Sequence, residues 1–262
     1  MVSLMPSKSL LPILWGSFLA VAAVAQSELQ ISQISTDRLG ENYGLNSDFL
    51  LYSPEPDLTG NLPLVIYLHG AGGVGNDINK IKSQTGPLWA GIREFSNTPC
   101  FLVAPQCQGR GDAGPRGGWQ LNDLNAFLDY LKSTLSIDSR RIYLTGNSMG
   151  GYGAWLWGGN NPEHFAAVAP LVGGLGPGGP KDITDRLEAW AANLATIPVY
   201  AFVGGKDTVV PPDRSERMVA AIRAAGGEQV KFKNYPEDGH NVRREVYATA
   251  EIYDWLFSHH RE

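Results

Sequence analysis

The chain has 262 residues, of which 26 are acidic and 21 basic, and its formal net charge is −5. This acidic balance argues against nucleic acid or an anionic membrane surface as a partner, because both carry negative charge themselves. Apolar residues make up 43% of the chain. A chain of this size and composition fits one large domain, since α/β folds often run to 200–250 residues.

The first 25 residues have the pattern of a secretory signal peptide. Lys8 supplies a positive charge, residues 10–21 form a mostly apolar run, and residues 23–25 (Ala-Val-Ala) provide a cleavage site. The apolar run is short for a membrane span, which needs about 20 residues. We therefore expect cleavage after Ala25, a mature domain over residues 26–262, a secreted or periplasmic destination and no stable membrane insertion. The oligomeric state stays open.

Apolar runs typical of strands alternate along the chain with amphipathic segments of helical period. In chain order, the predicted strands are 47–54 (paired with 29–35), 62–70, 100–106, 140–147, 165–173, 197–205 and 229–236, and the predicted helices are 123–135, 149–157, 183–195, 215–226 and 243–260. This alternation predicts a mostly parallel central sheet with helices on both faces. Only a glycine-rich segment and one helix separate 173 from 197, so we expect no large cap domain.

The two cysteines of the chain, Cys100 and Cys107, lie at opposite ends of the predicted strand 100–106. A nearly extended chain would separate their Cα atoms by roughly 20 Å. A disulfide needs a Cα separation of about 4.4–6.8 Å. We therefore expect two free thiols.

Three residues that suit nucleophilic catalysis follow predicted strands. They are Ser148 in the pattern Gly-Asn-Ser-Met-Gly, Asp207 and His240. The carboxyl ends of parallel strands share one edge of the sheet, where active groups collect. A serine hydroxyl becomes a nucleophile when a base takes its proton, and that histidine needs a third group to fix its tautomer. The chain order Ser, Asp, His is that of α/β-hydrolase triads.

Other residues of the same types have simpler interpretations. His69 lies in the loop after the strand 62–70 and is interpreted as bonding the loop backbone, and His164 as a surface residue. Asp182 and Asp185 are interpreted as caps of the helix 183–195. Asp238 is interpreted as a turn residue. Ser148, Asp207 and His240 therefore remain the predicted nucleophile, acid and base.

The glycines around Ser148 also carry information. Gly146 and Gly150 flank Ser148, so a sharp turn can form without Cβ clashes. Gly150, Gly151 and Gly153 each cost about 0.5–1 kcal/mol of helix stability relative to alanine. Such a cost is tolerated in a helix that must lie close to neighbouring strands, which predicts close packing here.

Segments between Leu62 and Leu256 resemble those of α/β-hydrolases. The resemblance is carried by YLHGAGG, VAPQC, RIYLTGNSMGGYGAW, FAAVAPLVGG, PVYAFVGGKDTVVPP and NYPEDGH. The sequence is similar to bacterial phospholipase/carboxylesterase, dienelactone-hydrolase-like and feruloyl or acetylxylan esterase-like serine hydrolases, and to the group called predicted peptidases. The resemblance implies the α/β-hydrolase fold, the triad named above, and an oxyanion hole from the N–H groups of Ala71 and Met149. Dienelactone hydrolases carry cysteine where this chain has Ser148, so that reaction is not expected.

The sequence therefore predicts a secreted, cofactor-free serine hydrolase of carboxylic esters, small or linked to polysaccharides, feruloyl esters included. Gln106, Trp119 and Trp155 are candidate pocket residues. We find no metal-ligand spacing and no dinucleotide-binding fingerprint in the sequence. Two alternatives stay open: a serine peptidase of the prolyl-oligopeptidase type, and a non-catalytic binding module on the same fold.

Overall fold

The structure is a computed structural model that describes residues 28–34, 43–54, 58, 60–109, 118–177 and 179–262. The predicted signal peptide, residues 1–25, lies outside these residues. Over the described ranges, none of the helices has the length and apolar character that spanning a membrane requires.

The described residues form a central sheet of eight strands. The strands are β1 (Gln30–Gln33), β2 (Leu45–Tyr52), β3 (Leu62–Leu68), β4 (Phe101–Cys107), β5 (Ile137–Asn147), β6 (Ala167–Leu171), β7 (Val199–Gly204) and β8 (Val230–Tyr235). Their order across the sheet is β1-β2-β4-β3-β5-β6-β7-β8. The pairs β1–β2 and β2–β4 are antiparallel, and every pair from β4 to β8 is parallel. The predicted mostly parallel sheet is confirmed.

Helices cover both faces of this sheet, as predicted. They are α1 (Asn79–Phe95), α2 (Leu121–Thr134), α3 (Met149–Asn160), α4 (Leu187–Leu194), α5 (Asp213–Ala224), α6 (Arg243–Tyr247) and α7 (Ala250–Phe257). Helices α1, α6 and α7 pack on one face, and α2 to α5 pack on the other. In β3, Val65 and Tyr67 belong to the first core, whereas Leu64, Ile66 and Leu68 belong to the second. A strand buried on both faces needs such a continuous apolar run.

Helix α1 was not predicted from the sequence. It contains Gly86 and Pro87, and a proline inside a helix removes a hydrogen bond at a cost of about 3 kcal/mol. The helix forms nevertheless, because Ile81, Leu88 and Ile92 lie on one face and are buried in the core beneath the sheet. Tertiary burial here outweighs the local preference against helix.

The C-terminal segment 243–260 forms two helices and not the single predicted one. Thr249 separates them in an extended conformation, with φ −135° and ψ 150°. The interruption leaves the buried carbonyl oxygen of Tyr247 available, and the hydroxyl of Tyr253 donates to it at 2.8 Å.

The fourth helix begins later than predicted, and its predicted caps are wrong. α4 starts at Leu187, and no side chain caps it. Ile183 instead forms a parallel bridge with Leu175. Because the chain is still extended at Ile183, Asp182 and Asp185 lie before the helix and do not cap it.

Two further expectations agree with the structure. Cys100 and Cys107 are both free and buried. In the described residues between β6 and β7, α4 and the Leu175–Ile183 bridge are the only regular structure, and no large cap domain is present.

The first turns of α3 lie in backbone contact with the ends of β3 and β6. A Cβ on Gly150 would overlap the carbonyl oxygen of Leu68, and a Cβ on Gly151 would overlap that of Leu171. A Cβ on Gly153 would lie 2.8 Å from Leu68 Cδ1. The predicted close packing of this helix is therefore confirmed.

We expect Gly150→Ala to lower the free energy of unfolding by about 3 kcal/mol, because the added methyl group would overlap backbone atoms that cannot move aside. Gly86→Ala in α1 is the matched control, since a Cβ there meets no atom within 4 Å. Helix propensity favours that alanine, and the following proline disfavours it, so we expect a change within about 1 kcal/mol. Denaturant unfolding of both variants measures the difference. Equal effects of the two substitutions would contradict this account.

Candidate active site

Ser148 lies in a strained turn between β5 and α3. Its φ is 61° and its ψ is −115°. A non-glycine residue at such a positive φ costs about 1–3 kcal/mol, so the surroundings must hold it there. Its N–H donates to the carbonyl oxygen of Leu171 at 2.9 Å, and its carbonyl oxygen accepts from the N–H of Tyr152 at 2.9 Å. A Cβ on Gly146 would lie 2.8 Å from the Leu68 carbonyl oxygen, so this side of the turn requires glycine.

The structure brings Ser148, His240 and Asp207 into one hydrogen-bonded chain. Ser148 Oγ lies 2.7 Å from His240 Nε2, and His240 Nδ1 lies 2.7 Å from Asp207 Oδ2. The Asp207 side chain is fully buried, whereas 26% of the His240 side chain is exposed. Asp207 Oδ1 also accepts the N–H groups of Val209 and Val210, at 2.8 and 3.0 Å. A carboxylate held in this way fixes the imidazole proton on Nδ1 and leaves Nε2 to accept the serine proton.

Backbone contacts fix the two loops that carry the carboxylate and the imidazole. The loop after β7 and the loop after β8 are joined by the Lys206 N–H, which donates to the Asp238 carbonyl oxygen at 2.8 Å. A Cβ on Gly204 would overlap the Gly239 carbonyl oxygen. The sequence did not indicate this role of Gly204, because the contact joins the end of β7 to the loop after β8.

His69 holds the loop after β3. It is fully buried, and its Nε2 accepts the N–H of Cys107 at 2.9 Å. The proton is therefore on Nδ1, which donates to the Gly70 carbonyl oxygen at 2.7 Å. Burial lowers the pKa of His69 to about 4, so the ring is neutral at neutral pH. The prediction that His69 bonds the loop backbone is confirmed.

The N–H groups of Ala71 and Met149 begin two helical turns beside Ser148. Ala71 is the first residue of a 3-10 turn, and Met149 is the first residue of α3. The first N–H groups of a helix have no partner within it. A Cβ on Gly70 would lie 3.5 Å from Ser148 Cβ, so the peptide that leads to Ala71 runs beside the serine. Two such donors are what a developing oxyanion needs.

Of the three candidate pocket residues, Gln106 has a structural role. It is fully buried, and its Nε2 donates to the carbonyl oxygens of Gly73 and Asp77, each at 2.8 Å. Its Oε1 accepts from the side-chain amide of Asn46 at 2.8 Å. This position corrects the prediction that Gln106 lines a substrate pocket, because its carboxamide is hydrogen-bonded within the protein and holds the loop 71–77.

The other two candidate pocket residues, Trp155 and Trp119, lie in different surroundings. Trp155 is fully buried in a core cluster with Trp190, which corrects its assignment to a pocket. Trp119 is only 2% exposed, yet it lines a cavity of 440 Å³ together with Tyr152 and Leu156. Its ring also packs edge-on against His69, with the centroids 4.8 Å apart.

Gln84 contacts the loop after β3 and was not identified from the sequence. Its Oε1 accepts the N–H of Gly70 at 2.8 Å. Gln84 lies on α1, and since that helix was not predicted, no signal placed this residue at the site.

A metal site would need several ligands close together. In the part of the chain that the structure describes, no group of three His, Cys, Asp or Glu side chains is arranged to hold a metal ion.

Comparison with known proteins places this geometry in a family. Residues 116–251, more than half of the chain, match the model of the dienelactone hydrolase family. A carboxymethylenebutenolidase-like protein of Methylorubrum extorquens is 36% identical over 126 residues, which are 46% of this chain and 40% of that protein. This chain thus spans less than half the length of that relative.

Two other proteins are similar over more of the chain. A protein of Aspergillus terreus assigned as feruloyl esterase C is 27% identical over 196 residues, which are 74% of this chain and 71% of that protein. The crystal structure of a thermostable esterase has a TM-score of 0.70 at 27% identity, over 89% of this chain and 63% of that one. The protein has the α/β-hydrolase fold, and the chain belongs to the dienelactone hydrolase family.

Proposed function

We propose that this protein is a secreted serine hydrolase that cleaves carboxylic esters through an acyl-enzyme. Ser148 is the nucleophile, His240 the general base and Asp207 the acid that orients it. The observation that carries the proposal is the unbroken hydrogen-bonded chain from Ser148 Oγ through His240 to the buried Asp207. Secretion rests on the predicted signal peptide, residues 1–25.

In the acylation step, His240 Nε2 takes the proton of Ser148 as Oγ attacks the acyl carbon of the ester. The carbonyl oxygen becomes an oxyanion, which accepts hydrogen bonds from the N–H groups of Ala71 and Met149. Met149 begins α3, so the positive end of the helix dipole also faces this charge. Asp207 stabilises the imidazolium while it exists.

His240 then gives its proton to the alcohol oxygen as the ester C–O bond breaks. The alcohol departs, and the acyl group stays bound to Ser148 Oγ. A water molecule enters, and His240 Nε2 removes one of its protons as the water oxygen attacks the acyl carbon. Collapse of the second tetrahedral intermediate releases the acid and returns the proton to Ser148 Oγ. The sequence of steps needs no cofactor.

We propose esters of aromatic acids, feruloyl esters on polysaccharides among them, as the substrate class. Trp119 and Tyr152 give the 440 Å³ cavity an aromatic wall. Ser148 does not line this cavity, but Tyr152 follows Ser148 by one helical turn. The absence of a large cap among the described residues favours a bulky substrate that enters from solvent. The likeness to a relative assigned as feruloyl esterase C supports the same class.

We expect Ser148→Ala to abolish hydrolysis of p-nitrophenyl acetate, because the hydroxyl oxygen is the attacking atom. Removal of a triad nucleophile lowers kcat by about 10⁶-fold. The wild-type protein should also react with a fluorophosphonate probe, and the variant should not. Turnover that survives in the variant would remove Ser148 from the mechanism, and a wild type that neither labels nor turns over would favour the binding-module alternative.

Asp207→Asn should lower kcat by about 10⁴-fold, because an amide no longer selects the imidazole tautomer. Asp238→Asn is the matched control. Asp238 lies two residues from His240, and it hydrogen-bonds to Tyr235 and Lys206 through its backbone. We expect the control to retain wild-type kcat in a steady-state assay. Equal losses in the two variants would show that the acid has been misassigned.

An ester and amide panel tests the substrate class. We expect higher kcat/KM for methyl ferulate than for aliphatic methyl esters of similar size, and no release of p-nitroaniline from aminoacyl anilides. A preference for the anilides would establish the peptidase alternative. Equal kcat/KM across the esters would show that the aromatic wall does not select the substrate.

A further inference from the structure

The loop that carries Ala71 is held at Gly70 from two sides. The Gly70 carbonyl oxygen accepts from His69 Nδ1 at 2.7 Å and from the Gly73 N–H at 2.9 Å. The Gly70 N–H donates to Gln84 Oε1 at 2.8 Å. Both polar groups of this residue are therefore occupied, and their partners come from different elements.

The orientation of Gly70 determines the direction of the next N–H group. A trans peptide holds the Gly70 carbonyl and the Ala71 N–H in one plane, pointing in opposite directions. With the carbonyl turned toward His69, the Ala71 N–H points away from His69. Rotation of the Gly70 backbone would redirect this N–H, since the two peptide planes share the Gly70 Cα.

Gln84 and Ser148 both lie close to the position that a side chain of residue 70 would occupy. A Cβ on Gly70 would be 3.3 Å from Gln84 Oε1, 3.5 Å from Ser148 Cβ and 3.2 Å from the Asn147 carbonyl oxygen. The carboxamide from α1 and the turn at Ser148 thus both pack against Gly70. Without the Gln84 acceptor, the Gly70 N–H would lose its partner at a partly buried position, which is unfavourable.

We propose that Gln84 is a positioning residue of the oxyanion hole. It holds the Gly70 peptide so that the Ala71 N–H is aimed at the oxyanion before the substrate arrives. Gln84 touches neither the substrate nor the oxyanion, and it acts through Gly70. This inference rests on the proposed serine-esterase function.

The test compares Gln84→Met with Ser83→Ala. Methionine is close to glutamine in length and lacks the amide oxygen, and Ser83 is an exposed neighbour on α1. We measure kcat and KM for p-nitrophenyl acetate, the inhibition constant of phenylboronic acid, and hydrogen exchange of the Gly70 amide. Phenylboronic acid reports on the tetrahedral adduct with Ser148, and KM reports on the ground state. Gln84→Ala is measured in parallel, so that the result does not depend on the folding of one variant.

For Gln84→Met we expect kcat to fall about tenfold to a hundredfold with KM nearly unchanged, because only transition-state binding is lost. The inhibition constant of phenylboronic acid should rise by a similar factor, and the Gly70 amide should exchange faster. Gln84→Glu retains an acceptor and should keep that amide protected. Ser83→Ala should match the wild type in all four measurements.

The inference is overturned if Gln84→Met and Gln84→Ala keep wild-type kcat, or if their loss appears in KM with boronic acid binding unchanged. These outcomes differ from a failure of the proposed function. If Ser148→Ala retains turnover, the serine mechanism itself is wrong. If Ser148→Ala is inactive and the Gln84 variants are normal, only the positioning role is wrong.

Discussion

The backbone contact between the beginning of α3 and the ends of β3 and β6 is the constraint on which the site depends. Gly150 and Gly151 lie so close to the carbonyl oxygens of Leu68 and Leu171 that no side chain fits between them. This contact holds Ser148 at φ 61°, a conformation that an isolated turn would leave. The strain of one residue is thus offset by packing that involves three elements. Val172, directly after β6, also has a positive φ, of 42°, so the strand that supports the turn is itself bent sharply there.

The remaining polar groups are held by the backbone of loops that touch one another. The loops after β7 and β8 share a hydrogen bond from Lys206 to Asp238, which sets the distance between acid and base. The loop after β3 is held by His69, Gln84 and Gln106, each of which bonds a different backbone group. Groups held in this way need little rearrangement when charge develops, which is the basis of electrostatic preorganisation.

Much of the fold could be predicted, and so could the order of the site residues along the chain, because both are reflected in local sequence patterns. Apolar runs such as β3 identify strands buried on both faces, and Ser148, Asp207 and His240 each lie within a few residues of the end of a predicted strand. α1 could not be predicted, since its Gly86 and Pro87 oppose a helix that only core packing stabilises. Because α1 was not predicted, Gln84, which lies on that helix, was not identified as a site residue either. Gln106 in β4 and Trp155 in α3 were misplaced because the sequence does not show whether such a side chain faces a cavity or the core.

The sequence by itself determined the parallel sheet, the strand ends at which polar residues collect, and the need for glycine around Ser148, because each follows from the pattern of neighbouring residues. Only the tertiary structure decided which of those polar residues meet. The 2.7 Å contacts of His240 join residues 92 and 33 positions apart in the chain. Such distances depend on the register of the whole sheet and on loops packed against each other, and no local pattern contains them. The same reason applies to the Gly70 N–H, whose partner Gln84 lies 14 positions away in the chain, on α1.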